Sequence, residues 1–385
     1  MRRANATYRE LGTTIFETMS HLANVHQAVN LGQGFPDDRG PDDVLRAAAA
    51  ALLEGWNQYP PMMGLPILRR AVADHEQRFY GLSYDWQSEV MVTSGATEAL
   101  AACILALVEP GDEVVLFQPA YDAYAPLVRR AGGTPRFVTL RPPDFAVDEV
   151  ALAAAFGDRT KLVVLNNPLN PAGKVFSARE LSLLAQLVVA HDAYAVCDEV
   201  YEHLVFGSAR HVPFPSLPGM RERSLKIGSA GKTFSLTGWK VGMVVAPAAL
   251  LQPVGKAHQF LTFTTPPNLQ AAVAFGLGKD DAFFTSLASE LERRRDRLAD
   301  GLRALGFSVL PAAGAYFLNV DLRASGQPAR DVDFCRTLVE EARVAAIPVS
   351  AFYGTEPVEH LVRFCFAKQD AVIDLALERL RARFG

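Results

Sequence analysis

An α/β fold, with a mainly parallel sheet covered by helices on both faces, is predicted by three observations. First, short and continuously apolar runs recur through the middle of the chain: "EVMVTS", "DEVVLF", "TKLVVLNNP", "AYAVCDEVY", "SLKIGS" and "KVGMVVAP". Strands with no wet face read this way because both of their faces are covered. Second, helical stretches follow several of them: "ATEALAACILALV", "PAYDAYAPLVRRAG" and "ARELSLLAQLVVAH". Strands that alternate with helices imply parallel crossovers. Third, half of the 385 residues are hydrophobic and 21% are charged, enough for a large core.

Taken in order, residues 1–43 show little periodicity and read as an arm that packs with the smaller domain. Residues 44–280 carry the strand–helix series and form the large domain. After about residue 280 the pattern changes. The long amphipathic stretch "FFTSLASELERRRDRLADGLRALG" precedes "FSVLPAAGAYFLNVDL", then a helix at "DVDFCRTLVEEARV", a strand near "HLVRFCFA" and a terminal helix. Residues 281–385 are therefore expected to form a small α+β domain.

Several function classes are disfavoured at once. A net charge of −4 gives no reason to expect a polyanionic partner. The dense basic run "ERRRDRL" (Glu292 to Leu298) alternates with acids in a helical pattern and reads as a solvated face, not a nucleic-acid patch. The run "ALAACILALV" has about half the length of a membrane span. The start, "MRRANATYRELG", lacks the apolar core of a signal peptide. Cys103, Cys197, Cys335 and Cys365 are widely spaced in apolar surroundings, as expected of reduced thiols in the cytoplasm. The eight histidines show no metal-ligand spacing, and no metal is expected.

Four motifs fall at strand ends, where open α/β sheets bind ligands. "TSGATEAL" brings a turn of small residues to a helix start, where unpaired amides and the Ser94 and Thr97 hydroxyls can hold a phosphate. By itself the signal is weak, and it reads more readily as an ordinary capped helix. "NNPLNPAGKV" presents Asn170 from a rigid turn, or forms an ordinary Asx turn. "CDEVYEH" ends a buried strand on Asp198, a costly place for a carboxylate without a cationic partner. "GSAGKTF" holds Ser229 and Lys232 in a tight turn, with Lys240 following. Together, in this order, they describe a site for a phosphorylated aromatic aldehyde.

These motifs resemble those of the fold-type-I, pyridoxal-phosphate-dependent aminotransferases of class I. The blocks "NLGQGFPDDRGP", "NQYPPMMG", "PAYDAY", "SAGKTFSLTGWKVG", "AIPVSAFY" and "VRFCFAK" extend the likeness over nearly the whole chain. In detail the chain is similar to the branch holding methionine and kynurenine/glutamine aminotransferases, and to a succinyl-diaminopimelate aminotransferase. The resemblance implies that Lys232 carries the cofactor and acts as acid and base. It implies that Gly95, Ala96, Thr97, Ser229 and Lys240 hold the phosphate. Many relatives have arginine where this chain has Lys240, a point charge in place of a fork. Asp198 would pair with the ring nitrogen, Tyr201 and Asn170 with the ring hydroxyl, and Tyr121 would stack on the ring. Arg363 would clamp the substrate carboxylate, beside the Gly34 backbone. Tyr59 would reach the phosphate of a partner subunit, making the protein a homodimer with shared sites.

The implied reaction is ping-pong transamination between an amino acid and a 2-oxo acid. Ile15, Phe35, Tyr121 and Phe263 match the family's side-chain pocket. They are apolar or aromatic, which favours methionine. Kynurenine or glutamine, with a β-lyase side activity on cysteine conjugates, is an alternative, as is succinyl-diaminopimelate. Tyr121 argues against an acyl-CoA condensing enzyme of the same fold, in which histidine usually stacks on the ring. A cofactor-sensing regulator would need a DNA-binding module ahead of the arm.

Overall fold

The computed structural model describes residues 3–9, 11–328 and 330–385. Its core is a seven-stranded sheet formed by β1 (Val90–Thr93), β2 (Glu113–Gln118), β3 (Thr134–Thr139), β4 (Thr160–Asn166), β5 (Tyr194–Asp198), β6 (Ser224–Ser229) and β7 (Gly242–Val245), in the spatial order β1-β7-β6-β5-β4-β2-β3. β7 runs antiparallel to both neighbours and the other pairings are parallel. β2, β6 and β7 are buried at every position, as their unbroken apolar runs require. β3 is the exception. It is an edge strand with mostly half-buried residues, and its sequence "TPRFVT" carries no comparable signal.

A second, four-stranded antiparallel sheet is built from β8 (Ser308–Val309), β9 (Phe317–Asp321), β10 (Ile347–Pro348) and β11 (Leu361–Cys365), in the order β10-β11-β9-β8. The helices Asp281–Ala304 and Asp370–Phe384 pack together beside it. The first is capped by Asp280, which accepts from the Phe283 amide.

The arm is more ordered than its composition suggests. Thr14 caps a helix over Ile15–Val25. That helix packs on the helix Asp331–Ala342 and on β10. The following strand, Val29–Asn30, pairs in parallel with Val344–Ala345. This pairing delivers Gln33 and Gly34 to the cleft between the two sheets. Only two residues of the arm helix, Met19 and Ala23, are fully buried, so its apolar stripe is too narrow to stand out in the sequence.

The basic run lies on the helix Asp281–Ala304. Arg293 bonds Glu290 and Asp370, Arg294 bonds Asp38 and Glu290, and Arg297 bonds Asp374. These arginines pin the helix to its neighbours. Among the described residues no helix is long and apolar enough to cross a membrane.

Candidate active site

The carboxyl ends of β4, β5 and β6 meet the arm and β11 around a cavity of about 270 Å³. Its walls include Thr97, Tyr121, Asn170, Asp198, Tyr201, Lys232 and Arg363, with Gly34 and Ala96. These residues come from nearly the full length of the chain, and the strand ends gather them.

Lys232 lies in a single helical turn, Ala230–Thr233, that directly follows β6. The small residues around it have a packing reason. A Cβ on Gly231 would stand 2.9 Å from the Thr237 Cα, so only glycine lets this turn close on the next. Lys232 Nζ donates a 2.8 Å hydrogen bond to the Tyr316 hydroxyl, and no carboxylate pairs with it among the described residues.

The phosphate turn is built by adjacency across three strands. Thr93 of β1 pairs with Gly242 of β7, which pairs with Ser229 of β6. A Cβ on Gly242 would lie 2.6 Å from the Gly95 carbonyl carbon, so β7 must be bare there. Gly95 has φ +80°, the left-handed region that favours glycine. It opens the helix Ala96–Leu107, whose first amides lack partners within the helix. The Lys240 ammonium approaches the same turn, 3.5 Å from where a Gly95 Cβ would be. Gly95, Ser229 and Lys240 thus stand behind the cavity wall that Ala96 and Thr97 form.

Asp198 ends β5, buried. Its Oδ2 accepts from the Tyr124 hydroxyl at 2.5 Å. Its Oδ1 is buried with no hydrogen-bond partner. Burial raises this carboxyl to about 6, against the bond from Tyr124 and the nearby Lys232. A buried acceptor left open in this way calls for a cationic N–H donor.

Arg363, on β11, is fully buried. It donates to Asn170 Oδ1 at 2.9 Å and to the Gly32 carbonyl at 2.8 Å, and its Nε has no partner. The guanidinium stacks over Phe317 at 4.0 Å, with Phe352 and Phe16 beyond. No carboxylate forms an ion pair with it among the described residues. Burial lowers it to about 10, so it stays charged at neutral pH. A buried, unpaired guanidinium is an anion site.

The fit of pyridoxal phosphate follows from these features. The open Asp198 Oδ1 suits a protonated ring nitrogen. The amides of Ala96 and Thr97, with Lys240, suit a dianionic phosphate. Lys232 offers an amine between the two. Tyr121 lines the cavity wall, and its ring meets Tyr124 edge-on at 5.7 Å.

Four expected residues stand elsewhere. Ile15 is partly buried against the core and is not among the cavity's lining residues, whereas its neighbour Phe16 is. Successive helical positions point about 100° apart, so the two neighbours face different surroundings. Phe35 is 43% exposed and lies against Lys368. Tyr59 is 82% exposed and meets Phe263 edge-on at 5.5 Å, outside the cavity of a single chain.

The structure also adds residues. Tyr124 follows Tyr121 by three positions in "PAYDAY", a spacing that puts both on one side of a turn and offered a readable signal. Tyr316, in "GAYFLN", offered none, because its partner Lys232 is brought near only by the fold. Gln33, Leu100, Asn166, Val200 and Phe317 complete the lining.

The model for the family described as "Aminotransferase class I and II" matches residues 26–380. The chain is 46% identical over 383 residues to a probable N-succinyldiaminopimelate aminotransferase of Mycobacterium tuberculosis, covering 97% of this chain and 96% of that protein. It is 43% identical over 373 residues to the methionine aminotransferase of Escherichia coli, with the same coverage. The mouse kynurenine–oxoglutarate transaminase 3 is 38% identical over 97% of this chain and 88% of its own length. Among solved structures, the Mycobacterium tuberculosis N-succinyldiaminopimelate aminotransferase superposes with a TM-score of 0.96 at 46% identity, covering 99% of this chain and all of that one. An Escherichia coli protein with a methionine aminotransferase function gives 0.96 at 42% identity with the same coverage.

Proposed function

The chain belongs to the class I and II aminotransferases, and we propose that it transfers the amino group of an apolar L-amino acid, methionine first, to a 2-oxo acid. It is a pyridoxal-phosphate-dependent enzyme of fold type I.

When bound, pyridoxal phosphate supplies a reactive aldehyde and an electron-accepting ring. This chain's residues do the rest. Asp198, through its open Oδ1, would hold the ring nitrogen's proton. The turn Gly95–Ala96–Thr97, Ser229 and Lys240 would hold the phosphate, and Asn170 and Tyr201 would hold the ring hydroxyl. Arg363 fixes the substrate carboxylate and thereby the direction of the Cα–H bond. Lys232 takes the Cα proton on Nζ and gives it back, as general base and then general acid.

One observation carries the choice of substrate. The cavity's cations are Lys232 and Arg363, and both are engaged in this scheme. The remaining walls include Phe16, Leu100, Val200 and Phe317. A second substrate carboxylate would lie unpaired against them, which is costly, whereas an apolar side chain gains roughly 25 cal/mol per Å² buried. The 46% likeness to a probable N-succinyldiaminopimelate aminotransferase favours a second reading. That substrate needs a further cation. The nearby Lys368 is already bound to Asp37 and to the Phe35 carbonyl.

The test is the half-reaction. Loss of the cofactor's visible absorbance should be faster with methionine than with kynurenine, aspartate or succinyl-diaminopimelate. Faster reaction with either of the last two would overturn the apolar reading.

A homodimer with shared sites belongs to the same proposal. Leu53, Trp56, Tyr59 and Phe260 are each more than 80% exposed, an unusual display for a monomer surface. Mixing inactive Lys232→Ala and impaired Tyr59→Phe proteins should restore activity by subunit exchange, and a fully active monomer would exclude the idea. The four buried free thiols support a reducing, cytoplasmic setting.

A further inference from the structure

The active site holds a hydroxyl that the scheme above leaves unused. Tyr316 is completely buried. Its hydroxyl donates to the Gly34 carbonyl at 2.7 Å and accepts from Lys232 Nζ at 2.8 Å. A phenol has one proton and a carbonyl has none to give. The Tyr316 proton is therefore committed to Gly34, and its oxygen accepts from the lysine. The chain of dipoles runs in one direction, from Nζ–H through Oη–H to the carbonyl oxygen.

Its anchorage is rigid. Tyr316 directly precedes β9, and its carbonyl accepts from the Phe366 amide at 3.0 Å, just past β11. β9 pairs along its length with β11, which carries Arg363. At the other end, a Cβ on Gly34 would lie 2.9 Å from the Phe317 ring and 4.0 Å from Arg363 Nη2. The hydroxyl thus ties the lysine amine to the segment that borders the guanidinium. Burial pushes the phenol far up from its ordinary value, so it keeps its proton at neutral pH.

We propose that Tyr316 is a further catalytic residue of the transamination: its oxygen holds the Lys232 amine in place and stabilises it once it has taken the substrate's Cα proton. The step balances simply. The Cα–H bond breaks, its electron pair stays with the substrate carbon, and the proton forms a new N–H bond on Nζ. No proton leaves Tyr316. Its oxygen accepts from the new ammonium, and the Gly34 carbonyl keeps the phenol aligned. Hydrogen bonds to charged groups are the strong ones, so this contact strengthens as the proton arrives. That is the condition for lowering a barrier. The inference rests on Lys232 being the acid–base group.

Tyr316→Phe removes the oxygen and keeps the ring. It should load pyridoxal phosphate and lower kcat about 10- to 100-fold, the worth of a hydrogen bond to a charged group. KM for the amino acid should change less than about threefold, because Arg363 is untouched. With Cα-deuterated donor, the primary isotope effect on kcat should grow, since proton transfer becomes more limiting. In the cofactor-free protein, acylation of Lys232 relative to Lys240, read by peptide mass spectrometry, should rise as the amine is released. A folded variant with kcat within about twofold of the parent and an unchanged isotope effect overturns the proposal. So does a loss confined to KM. Should the variant fail to fold, 3,5-difluorotyrosine at position 316, a weaker acceptor of nearly the same shape, should raise the isotope effect in the same direction. No change there overturns it equally. If Lys232→Ala itself keeps full activity, the underlying reading has failed, and not this inference alone.

Discussion

Lys226 lies inside β6 and Lys232 just past its end, and their surroundings differ in kind. Lys226 is buried and charge-paired. Its ammonium bonds both Glu76 and Glu202 and sits over the Tyr80 ring. The neighbouring His75 and His203 meet nitrogen to nitrogen at 2.8 Å. Lys232, Asp198 and Arg363 line the cavity, and none of them forms an ion pair among the described residues. Asp198 Oδ1 and Arg363 Nε have no partner, and Lys232 donates to a neutral hydroxyl. Buried polar groups cost free energy unless they are bonded. A charge neutralised by neighbouring charges is structure. Charges left unpaired around a cavity make a place for a ligand. β6 carries the first lysine and leads directly into the turn of the second.

The largest contrast is at the lysines. Lys232→Ala should fold normally and lose at least about 10⁴-fold in turnover, because it removes acid–base catalysis together with the cofactor's attachment. Steady-state rates and a thermal melt read both halves. Lys226→Met should do the reverse. It strands Glu76 and Glu202, a loss of about 3–5 kcal/mol for a broken buried pair, while folded molecules keep near-parental kcat. A denaturant titration measures the first effect. A large kcat loss in stable protein would erase the distinction.

Asp198 offers an intermediate test. Its folded carboxyl titrates at about 6, above the ordinary carboxylate value, because burial disfavours the charge. The native state therefore holds this proton more tightly than the unfolded chain does. The associated stability is full below about pH 4 and is lost as pH rises through 6, roughly 3 kcal/mol in all. Asp198→Asn should flatten that slope in cofactor-free protein. Parallel slopes for parent and variant would show that the carboxyl is not strained as described.

Arg363→Lys is the smallest. A stacked fork becomes a point charge, and KM should rise about 10- to 100-fold for every amino acid donor, with a smaller change in kcat. Equal reaction of amines lacking a carboxylate with the parent enzyme would mean that the open guanidinium serves something else.

The two clusters were not equally legible. Lys232 and Asp198 end apolar runs, so the strand-end rule points to them directly. The sheet strands were visible for the same reason, except β3, whose edge position leaves it half wet. Arg363 needed the family likeness, because inside "VRFCFAK" nothing marks a guanidinium as unpaired. The Lys226 network was invisible. Glu76 and Glu202 are far apart in sequence and meet at Lys226 only when the chain folds. Tyr316 escaped for the same reason, and Ile15 came from the family likeness, whereas the neighbouring Phe16 lines the cavity of this chain. Chemistry at strand ends is local and readable. Satisfaction of buried groups is a tertiary property.

The most direct test of the central claim, that the lysine without a carboxylate partner carries the chemistry and the ion-paired one does not, is to load the protein with pyridoxal phosphate, reduce it with borohydride and map the labelled peptide. The label should fall on Lys232. Label on Lys226 or Lys240 would contradict the account.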